Sequence, residues 1–188
     1  MKKTYILFFI LTMFCCHTAS AQKVAVGTNL ISYANFLTTN LEASYAIAKN
    51  WNVYVQGKYN PWTFKENQPP KEHMQNRQLT FAMGARYYPW HVYTGWWASA
   101  GAQYTKYNTG GIIRTRTWEG EVYGVTLGAG YSWLLTRSLN LDFGLGLMVG
   151  PNRFRTYSCP ACGRIEEMDK KEIYVGPNEL IVKLSYLF

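Results

Sequence analysis

A chain of 188 residues with a formal charge of +8, 16% charged and 16% aromatic, is sized for a single domain. Its 15 Tyr, 7 Trp and 16 Gly favour strands, turns and interfaces over helices. The basic excess would suit nucleic acid in a cytosolic protein, but the leader described next predicts export, which excludes that partner and favours anionic lipid or lipopolysaccharide phosphate.

Residues 1–21 read as a cleaved signal peptide. Lys2 and Lys3 supply the positive start, Ile6 to Phe14 the apolar core, and Ala19-Ser20-Ala21 the cleavage site. A lipidated cysteine follows a small residue, whereas Met13 and Phe14 precede Cys15, so Cys15 and Cys16 are assigned to the leader. The second segment, 22–188, is expected to be the barrel domain. No stretch of it approaches the roughly 20 apolar residues of a membrane helix, a test that barrel strands evade because only alternate residues face lipid.

Alternation then predicts about eight strands in chain order. The first spans Lys23–Tyr33, with Gly27 and Asn29 on its inward face. The second, Asn40–Ala48, sends Leu41, Ala43, Tyr45 and Ile47 outward, and Lys49-Asn50 turns it into the third, Trp51–Tyr59. Asn60–Arg77, with Pro61, Pro69 and Pro70, is expected to be a loop. The fourth strand is Gln78–Tyr88, with a turn at Pro89–Gly95, and the fifth is Trp96–Tyr107. Asn108–Glu119 is expected to be a second loop, Gly120–Trp133 the sixth strand and Ser138–Val149 the seventh. A third loop, Gly150–Pro177, leads to the closing strand Asn178–Phe188, whose Leu180, Val182, Leu184, Tyr186 and Phe188 share one face.

Short and long connections alternate, as in a bacterial outer-membrane barrel with short periplasmic turns and longer outer loops. Trp51, Tyr87, Trp96, Tyr131, Trp133, Tyr186 and Phe188 then fall at the periplasmic strand ends, a candidate aromatic girdle, with Tyr59 and Tyr104 at the outer ends. The competing expectation is a soluble sandwich or lipocalin-like binding barrel with its apolar face inward. That fold would put Gly124, Gly128 and Gly144 on a solvated strand face, where glycine weakens the strand. The expectation is therefore an all-β, antiparallel, up-and-down transmembrane β-barrel, monomeric, in the outer membrane.

About eight strands leave an interior that side chains fill. Glu42, Asp142 and Glu179 share it with Lys58, Arg86 and Lys183, and such charges are expected to pair into a plug, because an isolated buried charge is costly. The alternative is a small pore. Cys159 and Cys162 are the only cysteines after the leader. Their C-x-x-C spacing fits a loop disulfide, half of a metal site or a redox pair. Arg114, Arg116, Arg153 and Arg155 lie in two outer loops and are candidates for lipopolysaccharide contact through bidentate pairing with phosphate. With only His73 and His91 after the leader, at opposite predicted ends, no catalytic set stands out, so neither an enzyme nor a cofactor is expected.

Three stretches, Tyr59-Asn60-Pro61-Trp62-Thr63-Phe64, Tyr107-Asn108-Thr109-Gly110-Gly111-Ile112 and Cys159-Pro160-Ala161-Cys162-Gly163, carry a resemblance to a known family. Over nearly all of residues 22–188 the chain resembles the domain of unknown function 3575 family of outer-membrane proteins from Gram-negative anaerobes. The resemblance implies an outer-membrane barrel, in members often encoded beside fimbria-type surface proteins, and carries no catalytic residues over. Together these readings lead to the expectation of a non-enzymatic barrel whose outer loops meet a surface partner, a fimbrial protein or lipopolysaccharide.

Overall fold

A computed structural model describes residues 22–64, 67, 69, 73–112, 115–161 and 163–188; residues 1–21, expected to be a leader, Arg114 and Cys162 lie outside the described residues. The elements are β1 (Val24–Asn29), α1 (Leu30–Ala34), β2 (Thr39–Ala48), β3 (Trp51–Asn60), β4 (Thr63–Phe64), β5 (Met74–Tyr87), β6 (Gly95–Gly110), β7 (Thr117–Leu134), β8 (Leu139–Tyr157) and β9 (Ile165–Leu187). Every pairing is antiparallel between sequence neighbours, apart from two closures: β3 pairs β5, and β9 returns to β1. The nine strands thus form a ring, with the two-residue β4 attached to the edge of β5.

The ring is inside-out relative to a water-soluble sheet. Leu145 on β8 is 59% exposed on the outer face, whereas Lys183, on the neighbouring β9, is 4% exposed inside. The same split runs around the ring: Leu41, Val55, Phe81, Leu127 and Leu180 are exposed, and Glu42, Gln56, Arg86, Thr126 and Asp142 are buried. Because side chains alternate with a period of two, a one-residue slip of any strand would exchange these sets, so the pattern specifies the register.

The two ends differ. Lys49-Asn50, the segment from Tyr88 to Thr94, and Leu135–Ser138 form one end, the turn end. There the Lys23 amide donates to the Phe188 carbonyl at 3.1 Å, joining the start of the ring to its last residue. The segment 88–94 folds inward. Tyr88, Val92, Tyr93 and Trp97 pack with Ala25, Ile181 and Leu187 into a small apolar cluster across this end.

The opposite, hairpin end departs most from expectation. Gly150–Pro177 is not a loop: β8 continues to Tyr157 and β9 begins at Ile165, forming a hairpin that rises above the ring. Pro177 sits at a register shift between Gly146 and Leu147 of β8, a bulge position where proline is tolerated. The loops expected at Asn60–Arg77 and Asn108–Glu119 shorten in the same way, since β5 starts at Met74 and β6–β7 turn between Gly110 and Thr117. The first strand ends early, at Asn29. Its side chain accepts the Ile31 amide at 3.2 Å and caps α1, which the alternation pattern had assigned to the strand.

Candidate functional site

The lumen is organised in layers from the turn end upward. At the floor, Asn140 donates through Nδ2 to the Tyr93 carbonyl and to Asp142 Oδ1, both at 3.1 Å, tying the inward-folded segment to β8. Burial raises the Tyr93 hydroxyl above the usual phenol range.

Those charges come from four strands. Arg86 donates from both terminal nitrogens to the two carboxylate oxygens of Glu42, at 2.6 and 2.7 Å. Lys183 bridges Glu42, at 2.6 Å, to Asp142, at 2.9 Å. The guanidinium also lies over the Tyr54 ring at 4.3 Å. Two acids and two bases cancel here, so no net charge is left in a buried site. A second neutral pair stands higher. Lys58 meets Glu179 at 2.9 Å, and the same carboxylate oxygen accepts from Asn29 and Gln56 at 2.8 and 3.0 Å. The six inward charges singled out in the sequence therefore assemble into two clusters, with partners set by strand register rather than by sequence separation.

Above the pairs the lumen opens into a polar cavity of about 350 Å³ towards the hairpin end, with Gln78, Thr80, Gln103, Thr105, Tyr107 and Asn178 on its wall. The connection between α1 and β2 reaches across this mouth. Asn60, 1% exposed, holds it by donating to Thr38 Oγ1 at 2.9 Å and to the Phe36 carbonyl at 3.0 Å. Asn76 adds a bond to Asn35 Oδ1 at 3.0 Å. Phe36 and Leu37 adopt φ of 52° and 57°, an uncommon conformation that these ties support. The motif residue Asn60 is thus a strut between two connections. The sequence signal for that role was the Asn-Pro-Trp triplet itself. Asn29 was placed on an inward face and Asn76 in a loop, and neither position by itself signals these bonds.

The remaining predicted residues disperse over the molecule. Cys159 is buried at the β8–β9 tip and disulfide-bonded. Among the described residues no group of three or more His, Cys, Asp or Glu is arranged to hold a metal. Arg116 pairs with Glu166 at 2.9 Å and Arg155 with Asp169 at 3.4 Å. Arg153 lies between Glu121 and Lys171 in the cross-strand register. Trp51, Tyr87, Trp96, Tyr131, Trp133, Tyr186 and Phe188 are all exposed on the outer surface at the turn end. Three contacts lock most of them together: Trp51 with Tyr87 at 5.0 Å, Trp96 with Tyr131 at 5.3 Å, and Tyr186 with Phe188 at 4.8 Å.

Comparison with protein families gives a match to "Protein of unknown function (DUF3575)" over residues 6–188. The chain belongs to the DUF3575 family. No curated protein matches this DUF3575 chain. All three stretches that carried the resemblance lie at the hairpin end: Asn60 as the strut, Gly111 with φ of 72° in the β6–β7 turn, and Cys159 at the β8–β9 tip.

Proposed function

We propose that this protein is a closed, non-enzymatic outer-membrane β-barrel that is exported by its leader, anchors in lipid through the ring and presents its hairpin end to a surface partner. The observation that carries this reading is the inversion of the sheet, with charge buried and large apolar side chains exposed. A water-soluble binding barrel would have the opposite arrangement. The height of the apolar band supports it. On β7, Trp133, Tyr131, Ala129, Leu127, Val125 and Tyr123 face outward before the charged Glu121. Ten residue steps at about 3.3 Å, on a strand tilted by about 40°, give roughly 25 Å, the apolar height of an outer-membrane barrel. Aromatic rings bound the band at the turn end, where an interfacial belt belongs.

The neutral ion-pair clusters and the apolar floor favour a plug over a pore. The barrel then acts through what it holds up: the β8–β9 hairpin, the shorter β6–β7 hairpin, and the strutted mouth. These offer a surface for a fimbrial or other surface protein, and lipopolysaccharide surrounds the barrel.

Electrophoresis of fractionated outer membranes tests the anchor. An unboiled band that migrates apart from the boiled one, in the outer-membrane fraction, is the expected result, and a periplasmic protein without the shift overturns it. Recording in planar bilayers tests the plug. The wild type is expected to be silent; steady conductance that rises when Glu42 or Asp142 is neutralised would make it a pore.

A further inference from the structure

The outer wall of the ring carries apolar recesses, one of about 710 Å³ beside Trp96, Leu127 and Leu145 and another at Gly57. Gly57 occupies an outward position on β3, opposite Leu41 on β2 and Phe81 on β5. Both neighbours are large and exposed. Neither usual reason for a strand glycine applies, since Gly57 is absent from the positive-φ positions and a Cβ there would meet nothing within 4 Å. What the missing side chain leaves is room: an apolar groove of about 540 Å³ walled by Leu41, Tyr59, Leu79, Phe81 and Tyr104.

A second recess, of about 270 Å³, continues upward from the same Tyr59 and Leu79 and contains Arg77 and Lys106. Arg77 lies opposite Asn108, and Lys106 opposite Leu79. The two cations are therefore diagonal neighbours on one face, about 7–8 Å apart. Among the described residues neither takes part in an ion pair. The nearest acids are engaged from the β7 side. Glu121, opposite Lys106, accepts from the Tyr104 hydroxyl at 2.9 Å. Glu119, also in the recess, takes the Tyr157 hydroxyl and lies opposite Arg155. Two adjacent cations outside any ion pair, directly above an apolar slot and with Glu119 and Glu121 alongside, complement an amphiphile with an anionic head.

We propose that this strip, from Gly57 up to Arg77 and Lys106, binds an acylated, phosphorylated glycolipid, with one acyl chain in the groove and a phosphate between the two cations. The inference rests on the membrane reading above and names a lipid site away from the arginines of the β8–β9 hairpin.

The test uses the purified full chain in detergent, with bisphosphorylated lipid A as probe and native mass spectrometry as readout. Gly57→Leu puts a side chain into the groove at a position where a Cβ meets nothing within 4 Å, and the double variant Arg77→Gln, Lys106→Gln removes the charge. Each is expected to weaken lipid A retention about tenfold or more. Dephosphorylated lipid A should bind the wild type as weakly as lipid A binds the charge variant, and inorganic phosphate should not displace the probe. Retention unchanged in both variants overturns the lipid site, and displacement by inorganic phosphate reassigns it to a free anion. Heat-modifiability of the same samples separates the two levels. A shifted wild type with indifferent variants removes only this site, and an unshifted wild type removes the membrane reading with it.

Discussion

At the residue scale the lumen is governed by Glu42, the one carboxylate shared by Arg86 and Lys183. Surface ion pairs contribute little, but removing one member of a buried set leaves an uncompensated charge. Glu42→Gln leaves two cations facing only Asp142. We expect it to cost about 3–5 kcal/mol in urea unfolding followed by the gel shift. Adding Lys183→Met restores neutrality and should recover part of that loss, a non-additivity that independent sites would not show. Asn29 has a comparable local reach, since its one side chain caps α1, accepts from the Val182 amide at 3.1 Å and donates to Glu179 at 2.8 Å.

At the element scale the β8–β9 hairpin is the part built to project. Its strands run 19 and 23 residues, against 6 for β1 and 10 for β2, so the wall rises on one side of the ring only. Above Val149 β8 stays paired with β7 as far as Tyr157 and with β9 as far as Ile165, and Arg116 with Glu166 and Arg155 with Asp169 add to these ladders. Closure on β1 uses the end of the chain, Lys183–Leu187 in the ladder with Phe188, Val182 and Leu180 adding bonds. Replacing Arg153–Glu172 by a short turn should therefore leave the heat shift intact while abolishing crosslinking to any surface partner. Loss of the shift would mean that the arm is part of the fold. The disulfide at Cys159 belongs to this tip. Peptide mapping of the unreduced protein should link it to Cys162, the only other cysteine in residues 22–188.

At the scale of the whole molecule the question is which solvent the outer face meets. Leu145, 59% exposed near the middle of the apolar band, decides it. In lipid, Leu145→Arg should cost about 2–4 kcal/mol, because the bilayer midplane does not solvate a guanidinium. On a water-facing surface the same change would fall within about 0.5 kcal/mol of neutral. Unfolding of the two proteins in liposomes measures the difference.

Much of this architecture is written in the sequence by period. Leu139 to Val149 and Leu180 to Phe188 alternate so regularly that strand identity, facing and the inward position of Asp142, Glu179 and Lys183 follow from spacing alone. The aromatic rows at the turn end follow as well, because strand ends are marked by short turns. Which charges meet was not legible, since Glu42, Arg86, Asp142 and Lys183 lie on four strands and only register joins them. Nor was the extent of the hairpin. Gly150, Pro151 and Pro177 are loop signals locally, yet Pro177 fits at a bulge and Pro151 where the β7–β8 ladder is interrupted. The sequence by itself determined the faces, which need only local alternation. Tertiary structure alone decided the partners, the strut at Asn60 and the groove over Gly57, because each depends on residues brought together by closure of the ring.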